Sequence, residues 1–270
     1  MSNKDKRVLL SFDVEEFDLP LEFGGQISES EQLEIGRQGL EEALHLLDRI
    51  GVQATLFTTA RLAEHASNTL RDCAGKHEIA SHGMRHDRFE PEDFRSSRET
   101  LEQITESEVV GFRMARLQPV DAQTAAAAGY AYDSSENPIR LPGRYDNRHL
   151  PRTPRLEDGL LRIPISTTPR LRIPLFWLAF RHLPLMILRR SLDRTLTHDG
   201  HLVLFFHPWE LLELRAYRNY MPRVIRHRGG KSLRRRLEEE LPRLGEHAPF
   251  ATMAPFAREQ KQKLHAEVTC

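Results

Sequence analysis

The 270 residues include 39 Lys+Arg and 39 Asp+Glu, so the formal charge is zero and any attraction to nucleic acid or anionic lipid has to be local. With 39% hydrophobic and 29% charged residues the chain can bury a sizeable core, and it falls outside the multispan membrane, collagen-like and low-complexity classes. Cys73 and Cys270 are the only cysteines, which leaves no disulfide framework and no thiolate metal cluster and fits a reducing compartment.

The opening MSNKDKRVLLSFDVEE has an apolar run, 8–12, that is shorter than a signal-peptide core and is followed at once by acids, so the segment is expected to be retained and the protein cytoplasmic. VLLSFDV reads as a strand. After a polar loop the Leu33, Leu40, Leu44, Leu47 stripe reads as a helix that stops at Gly51, where glycine suits a left-handed cap. ATLFTT is a second strand, followed by a helix over 61–73, a short strand over 77–81, a helix over 92–104 after Pro91, the strand VVGFR, a helix over 121–128 and the strand YAYDSS. Strands alternating with helices of this length indicate crossover connections and a mainly parallel sheet, hence an α/β protein.

The stretch 135–174, rich in Pro, Arg and Asn, reads as a long ordered insertion with one strand candidate, LLRIPIS, positioned to shape a cleft. The apolar stretch 171–188 is broken by Arg172, Arg181, His182, Pro174 and Pro184 and fails as a membrane span; helices are expected over 176–188 and 191–198. HLVLFF then reads as a buried parallel strand ending at His207. Between 215 and 236 there are nine Lys or Arg and no acid, and FATM gives a last strand candidate.

Three fragments carry chemistry. Asp13 and Glu15 stand two apart at the carboxyl end of the first strand, so both carboxylates face one pocket at the edge where α/β folds place their catalysts. In EIASHGMRH, His82 and His86 stand four apart, and a helical turn would bring both imidazoles to one side; with a carboxylate they form a two-His-one-carboxylate cation site with open positions. In HLVLFFHPWE, His207 ends a late strand on the same rim, where it can serve as a general acid, and Arg113 at the end of VVGFR can hold a carboxylate or a substrate oxygen.

SFDVE, SHGMRH, GFR and FFHPWE, in this order, resemble the motifs of the polysaccharide deacetylase superfamily, also called the NodB-homology or carbohydrate esterase family 4 group. EIASHG and HPWE are similar to its exopolysaccharide-cluster branch, whose first motif is Asp-x-Glu or Asp-x-Asp. The resemblance runs over 8–211. It implies a distorted (β/α) barrel of about seven parallel strands, with 1–256 as a single domain, a C-terminal helical and basic extension, and a polar tail at 257–270. It also implies Asp13 as general base, Glu15, His82 and His86 as ligands of one divalent metal, His207 as general acid, Arg113 as the residue orienting the base, and Asp133 as an acid tuning the late histidine. Zinc is the expected ion, with cobalt, nickel and manganese as alternatives. Two departures from the family pattern stand out: Val14 occupies the metal-carboxylate position of the more common Asp-Asp motif, and Met114 to Arg116 replace the small residue and proline that follow the third-motif arginine.

The implied activity is metal-dependent removal of an N-acetyl or similar N-acyl group from an amino sugar, in a glycan or in its lipid-linked precursor. The arginine-rich run and the aromatic segment around Phe176, Trp177 and Phe180 suggest peripheral contact with the inner membrane face. Competing readings are a catalytically inactive carbohydrate- or lipid-binding module on the same scaffold, a nucleic-acid-binding arm at 215–236, and an iron(II) oxygenase. Nucleic acid is not expected as a partner, because only Tyr217 and Tyr220 are available for base stacking beside the basic run.

Overall fold

The computed structural model describes residues 6–141 and 145–269; Cys270 lies outside them. In chain order the elements are β1 (Arg7–Val14), α1 (Leu19–Glu22), α2 (Glu29–Ile50), β2 (Thr55–Thr58), α3 (Ala60–His65), α4 (Ser67–Ala74), β3 (Glu78–Ser81), α5 (Asp93–Thr105), β4 (Gly111–Phe112), α6 (Ala122–Ala127) and β5 (Tyr132–Asp133). They continue with β6 (Arg140–Leu141), β7 (Tyr145–Asp146), β8 (Arg155–Glu157), β9 (Leu160–Arg162), α7 (Trp177–His182), α8 (Leu185–Asp199), β10 (His201–Phe206), α9 (Arg223–Arg226), α10 (Lys231–His247), β11 (Phe250–Ala251) and α11 (Met253–Thr269).

The sheet runs β10-β1-β2-β3-β4-β5-β9-β8, with β11 also pairing β1. From β10 to β9 every pairing is parallel, and only β8 turns back antiparallel on β9. The sheet curls into the distorted parallel barrel that the sequence led us to expect. Its two ends are joined by the segment after β9, where Ser166 donates its N–H to the Val203 carbonyl at 3.2 Å and the Val203 N–H returns a bond to Ser166 Oγ at 2.8 Å.

Alternation along β1 decides what reaches the site. Val8, Leu10, Phe12 and Val14 belong to the outer core between sheet and helices. Leu9 belongs to the inner core of the barrel, with Phe57, Tyr132, Val203 and Phe205. Because both faces are covered, the strand reads as an almost unbroken apolar run. Each fully buried Leu or Phe contributes ~1.5–3 kcal/mol. Val14 faces the helices, so Asp13 and Glu15 are the carboxylates left to face the barrel interior.

Helix α2 begins at Ser28, whose side chain accepts the Glu31 N–H, and ends on Gly51 at φ 67°. Two glycines on its buried side set its distance from the site. A Cβ at Gly36 would lie 2.6 Å from the Glu15 carbonyl oxygen, and one at Gly39 would lie 2.7 Å from the Trp209 backbone nitrogen. The helix therefore presses directly on the two loops that carry Glu15 and His207.

Several local expectations are corrected. The helix expected over 61–73 is divided at Ala66, whose non-helical φ −113° and ψ 30° separate α3 from α4. The break expected near 189–190 falls instead at Pro184, which starts α8, and α8 continues unbroken to Asp199. Among its described residues the stretch 135–174 holds four short strands in place of one. No helix among the described residues is long and apolar enough to cross a membrane.

The segment 257–270, expected as a polar tail, is mostly helix: α11 carries Met253, Phe256 and Ala257 into the inner core. The start of α11 is tied to the sheet, since Met253 donates its N–H to Thr55 Oγ1 at 2.9 Å and Ala254 donates to Glu78 Oε2 at 2.9 Å. Tyr132 also donates to Glu78 Oε1, at 2.6 Å. Burial raises the Glu78 pKa from its ordinary value, against the lowering effect of these donors.

Candidate metal and catalytic site

At the carboxyl ends of β1, β3 and β10 the chain brings together Asp13, Glu15, His82, His86 and His207. Ligand atoms of Glu15, His82 and His86 all lie within 4.8 Å of one another. His82 Nε2 is 3.3 Å and His86 Nε2 3.1 Å from Glu15 Oε2. The histidines do not share a helical turn: 82–86 is a loop that bends at Gly83, φ 85°, and the rings meet nearly parallel at 6.0 Å. A glycine is needed there because L side chains rarely adopt that backbone.

The outer nitrogens fix which ring atoms are free. His82 Nδ1 lies 2.8 Å from the Arg113 carbonyl, and His86 Nδ1 lies 2.8 Å from Asp18 Oδ1. Both partners are acceptors, so each Nδ1 carries a proton and each Nε2 is turned toward Glu15, where it offers a lone pair once the ring is neutral. Glu15 Oε2 and His82 Nε2 are buried with no hydrogen-bond partner. Two lone pairs and a carboxylate oxygen facing one point are satisfied by a cation, and the imidazole–imidazole–carboxylate set suits a divalent transition metal. Asp18 behind His86 is the carboxylate that such a histidine ligand commonly leans on. The site can therefore hold a divalent metal.

Charge balance agrees. Burial pushes the Glu15 carboxyl up, but His86, His207 and His82 together bring it well below the carboxylate range. Burial works against a charged His86, yet Glu15 and Asp18 raise it to about 9.

Asp13 occupies the next position inward. Arg113, with no exposed surface, donates through Nη1 to Asp13 Oδ1 at 2.6 Å and to Ser11 Oγ at 3.0 Å. Its Nε donates to the Ser134 carbonyl and its Nη2 to Ser134 Oγ, both at 3.1 Å, while its plane lies 4.0 Å from the Phe57 centroid. Buried in this way, Arg113 holds the Asp13 carboxylate and cannot itself reach a substrate oxygen.

His207 lies 3.9 Å from Glu15 Oε1 through Nε2, stacked on Trp209 at 5.0 Å and edge-on to Trp177 at 6.0 Å. Its backbone N–H donates to Glu210 Oε2 at 3.2 Å, and its Nδ1 is 3.7 Å from Glu210 Oε1, which Arg181 approaches to 3.3 Å. Burial disfavours the charged ring, but Glu15 and Glu210 outweigh it and raise the His207 pKa.

Asp133 does not join this group. It pairs with Arg162 Nη1 at 2.8 Å and bonds Ser135, so the acid beside the late histidine is Glu210, three residues along the same turn. Asp18, Glu210 and Trp209 were not singled out by motif. The signal for Glu210 lay in HPWE itself, since a residue three positions after His207 on a tight turn comes back beside it. Arg116, at φ 59°, replaces the expected proline region and pairs with Asp18 and Glu22, both at 3.0 Å.

The group opens on a cleft of about 430 Å³ walled by Asp13, Glu15, His207, Trp177, Leu117 and Phe176, among others. One wall is apolar and aromatic and the other carries the carboxylates, an arrangement that can seat a ring and present a polar bond to the acids.

The family model for polysaccharide deacetylase matches residues 1–132. Among curated proteins none matches the chain. Solved structures share its fold: a candidate polysaccharide deacetylase from Mycobacterium smegmatis has a TM-score of 0.69 at 21% identity, covering 97% of this chain and 93% of that one. The allantoinase PuuE has a TM-score of 0.64 at 18% identity, with coverage of 95% and 90%. A carbohydrate esterase family 4 pseudoenzyme from Bacillus anthracis has a TM-score of 0.52 at 12% identity, with coverage of 95% and 66%. At these identities the likeness is one of fold, and the fold is shared by an allantoinase and by a pseudoenzyme. By the match over residues 1–132 together with this fold, the chain is similar to the polysaccharide deacetylase family.

Proposed function

We propose that the protein is a metal-dependent hydrolase that removes an N-acetyl or similar N-acyl group from an amino sugar of a glycan. The observation that supports it most is the buried meeting of Glu15 Oε2 and His82 Nε2, neither with a hydrogen-bond partner, beside His86 and on the wall of an open cleft. A divalent ion held by Glu15, His82 and His86 would polarise an acyl carbonyl and acidify water.

The remaining steps fall to the chain's own side chains. Asp13, fixed by Arg113, takes the proton of the attacking water, a contribution typically worth ~10²- to 10⁴-fold. His207, held between Trp209 and Trp177 and backed by Glu210, gives a proton to the departing sugar amine. The aromatic wall of Phe176 and Trp177 seats the sugar and excludes water from the acyl group.

Mass spectrometry of N-acetylated oligosaccharides incubated with zinc-loaded protein tests the proposal. Loss of one acetyl group by the wild type, and none by His82→Ala with His86→Ala, is the expected result. A protein that binds no metal when zinc is supplied, and still retains glycans, would be an inactive carbohydrate-binding scaffold.

A further inference from the structure

Beside the cleft, sharing Trp209 with it, lies a second cavity of about 380 Å³. Five arginines line it, Arg181, Arg215, Arg218, Arg226 and Arg228, against two glutamates. Both glutamates are engaged: Glu210 faces Arg181 and accepts the His207 N–H, and Glu213 Oε1 accepts the Lys231 N–H at 2.9 Å. Among the described residues Arg218, Arg226 and Arg228 have no carboxylate within ion-pair distance. Arg226 donates to the Arg218 backbone carbonyl at 3.2 Å, a contact that leaves its charge unneutralised.

Arg181 gives an independent sign. It is 2% exposed, forms part of the wall, and its Nε is buried without a hydrogen-bond partner. Gly229 stands close to it, for a Cβ there would lie 3.3 Å from Arg181 Nη2. Arg181 itself faces Glu210 and donates to the Ile225 carbonyl, so the charge open to an anion in the cavity is that of Arg218, Arg226 and Arg228. Phosphate groups match guanidinium forks two bonds at a time.

The position says what the anion belongs to. Trp209 and Ile225 line both this cavity and the catalytic cleft, so the two adjoin. We infer that the arginine-lined cavity binds the phosphate or diphosphate of a glycosyl phosphate substrate while its N-acylated sugar occupies the cleft. The link to substrate rests on the deacetylase reading; the anion site does not. Two carriers share this chemistry, a prenyl diphosphate and a nucleoside diphosphate.

The first experiment titrates inorganic diphosphate into metal-free protein by calorimetry. Saturable one-to-one binding is expected, weakened at least tenfold in Arg218→Gln with Arg228→Gln while the melting temperature without ligand is unchanged. No saturable binding, or equal binding in the variant, overturns the site whether or not any glycan turns over.

The second experiment compares turnover by zinc-loaded protein of N-acetylglucosamine as its methyl glycoside, as a short-chain prenyl diphosphate and as the uridine diphosphate conjugate. The double variant should lose at least tenfold in kcat/KM on a diphosphate substrate and keep its rate on the methyl glycoside. Whichever diphosphate is preferred names the carrier. Equal losses on all three substrates overturn the assignment to substrate phosphate.

Discussion

The Trp209 indole N–H donates to Glu15 Oε1 at 3.1 Å and so divides the carboxylate in two. One oxygen is fixed by the loop of the late histidine motif, and the other, Oε2, is left to His82 and His86. Glu15 is thereby presented as a one-oxygen ligand, and the first and last motifs of the chain are joined by a single hydrogen bond. Trp209→Phe should retain the fold and loosen zinc binding by about tenfold, the usual scale for losing a group that orients a ligand. Competition with a chromogenic chelator measures it.

Metal binding should release a proton. Without metal His86 is raised to about 9, by Glu15 and Asp18 against burial, so below that pH an incoming ion displaces a proton from the site. Zinc affinity is then expected to rise close to tenfold per pH unit between about pH 6 and 8. Calorimetry in buffers of different ionisation enthalpy should show about one proton released, and His86→Ala should abolish both the release and most of the affinity.

Base and ligand separate by variant. Asp13→Asn keeps an oxygen for Arg113, so zinc content and melting temperature should hold while turnover falls ~10²- to 10⁴-fold. Asp13→Ala leaves a buried guanidinium uncompensated and should cost ~3–5 kcal/mol of stability. Glu15→Gln should lose the metal and the activity together, read by elemental analysis beside the rate.

The acid should be visible in the pH profile. Glu15 and Glu210 raise the His207 pKa against its burial, so the proton-donating form persists to higher pH than for a free imidazole. Removing the Glu210 charge lowers that pKa, and Glu210→Gln should move the alkaline limb of kcat to lower pH without removing zinc. His207→Asn should eliminate the limb and most of the rate.

Stability should fall on acidification through a residue far from the site. His201 is buried beside Phe256, and burial lowers its pKa despite the Asp199 carbonyl at its Nδ1. The native state resists protonating it more than the unfolded chain does, so stability present above about pH 6.5 is lost progressively below it. In His201→Gln that part of the pH dependence should disappear from denaturant midpoints measured between pH 7.5 and 5.

The alternation of strands and helices was readable because it rests on local periodicity: β1, α2, β2 and β10 stand where their apolar patterns place them. Asp13, Glu15, His82, His86 and His207 were readable because spacing and strand ends are local as well. What escaped depends on contacts distant in sequence. Asp133 looked like a partner for His207, yet its strand register sets it against Arg162, and nothing near YAYDSS announces that. The loop geometry of 82–86 escaped because a four-residue spacing is served equally by a helical turn and by a bend at glycine. Helix α11 escaped because its fully buried apolar residues among those described, Met253, Phe256 and Ala257, crowd into its first turns and make no stripe along it.

The order of synthesis gives α11 a further meaning. β1 is made first but lies between β10 and β2, with Arg7 opposite His201 and Val8 opposite Phe250, and α11 meets the barrel at Thr55 and Glu78. The first strand can pair with β2 early, but its partners on the other side, β10 and β11, come some 190 to 240 residues later. Such distant pairings make for slow folding after release, and the half-made barrel, with its interior uncovered, is the state in which this protein is most exposed to aggregation and to chaperones.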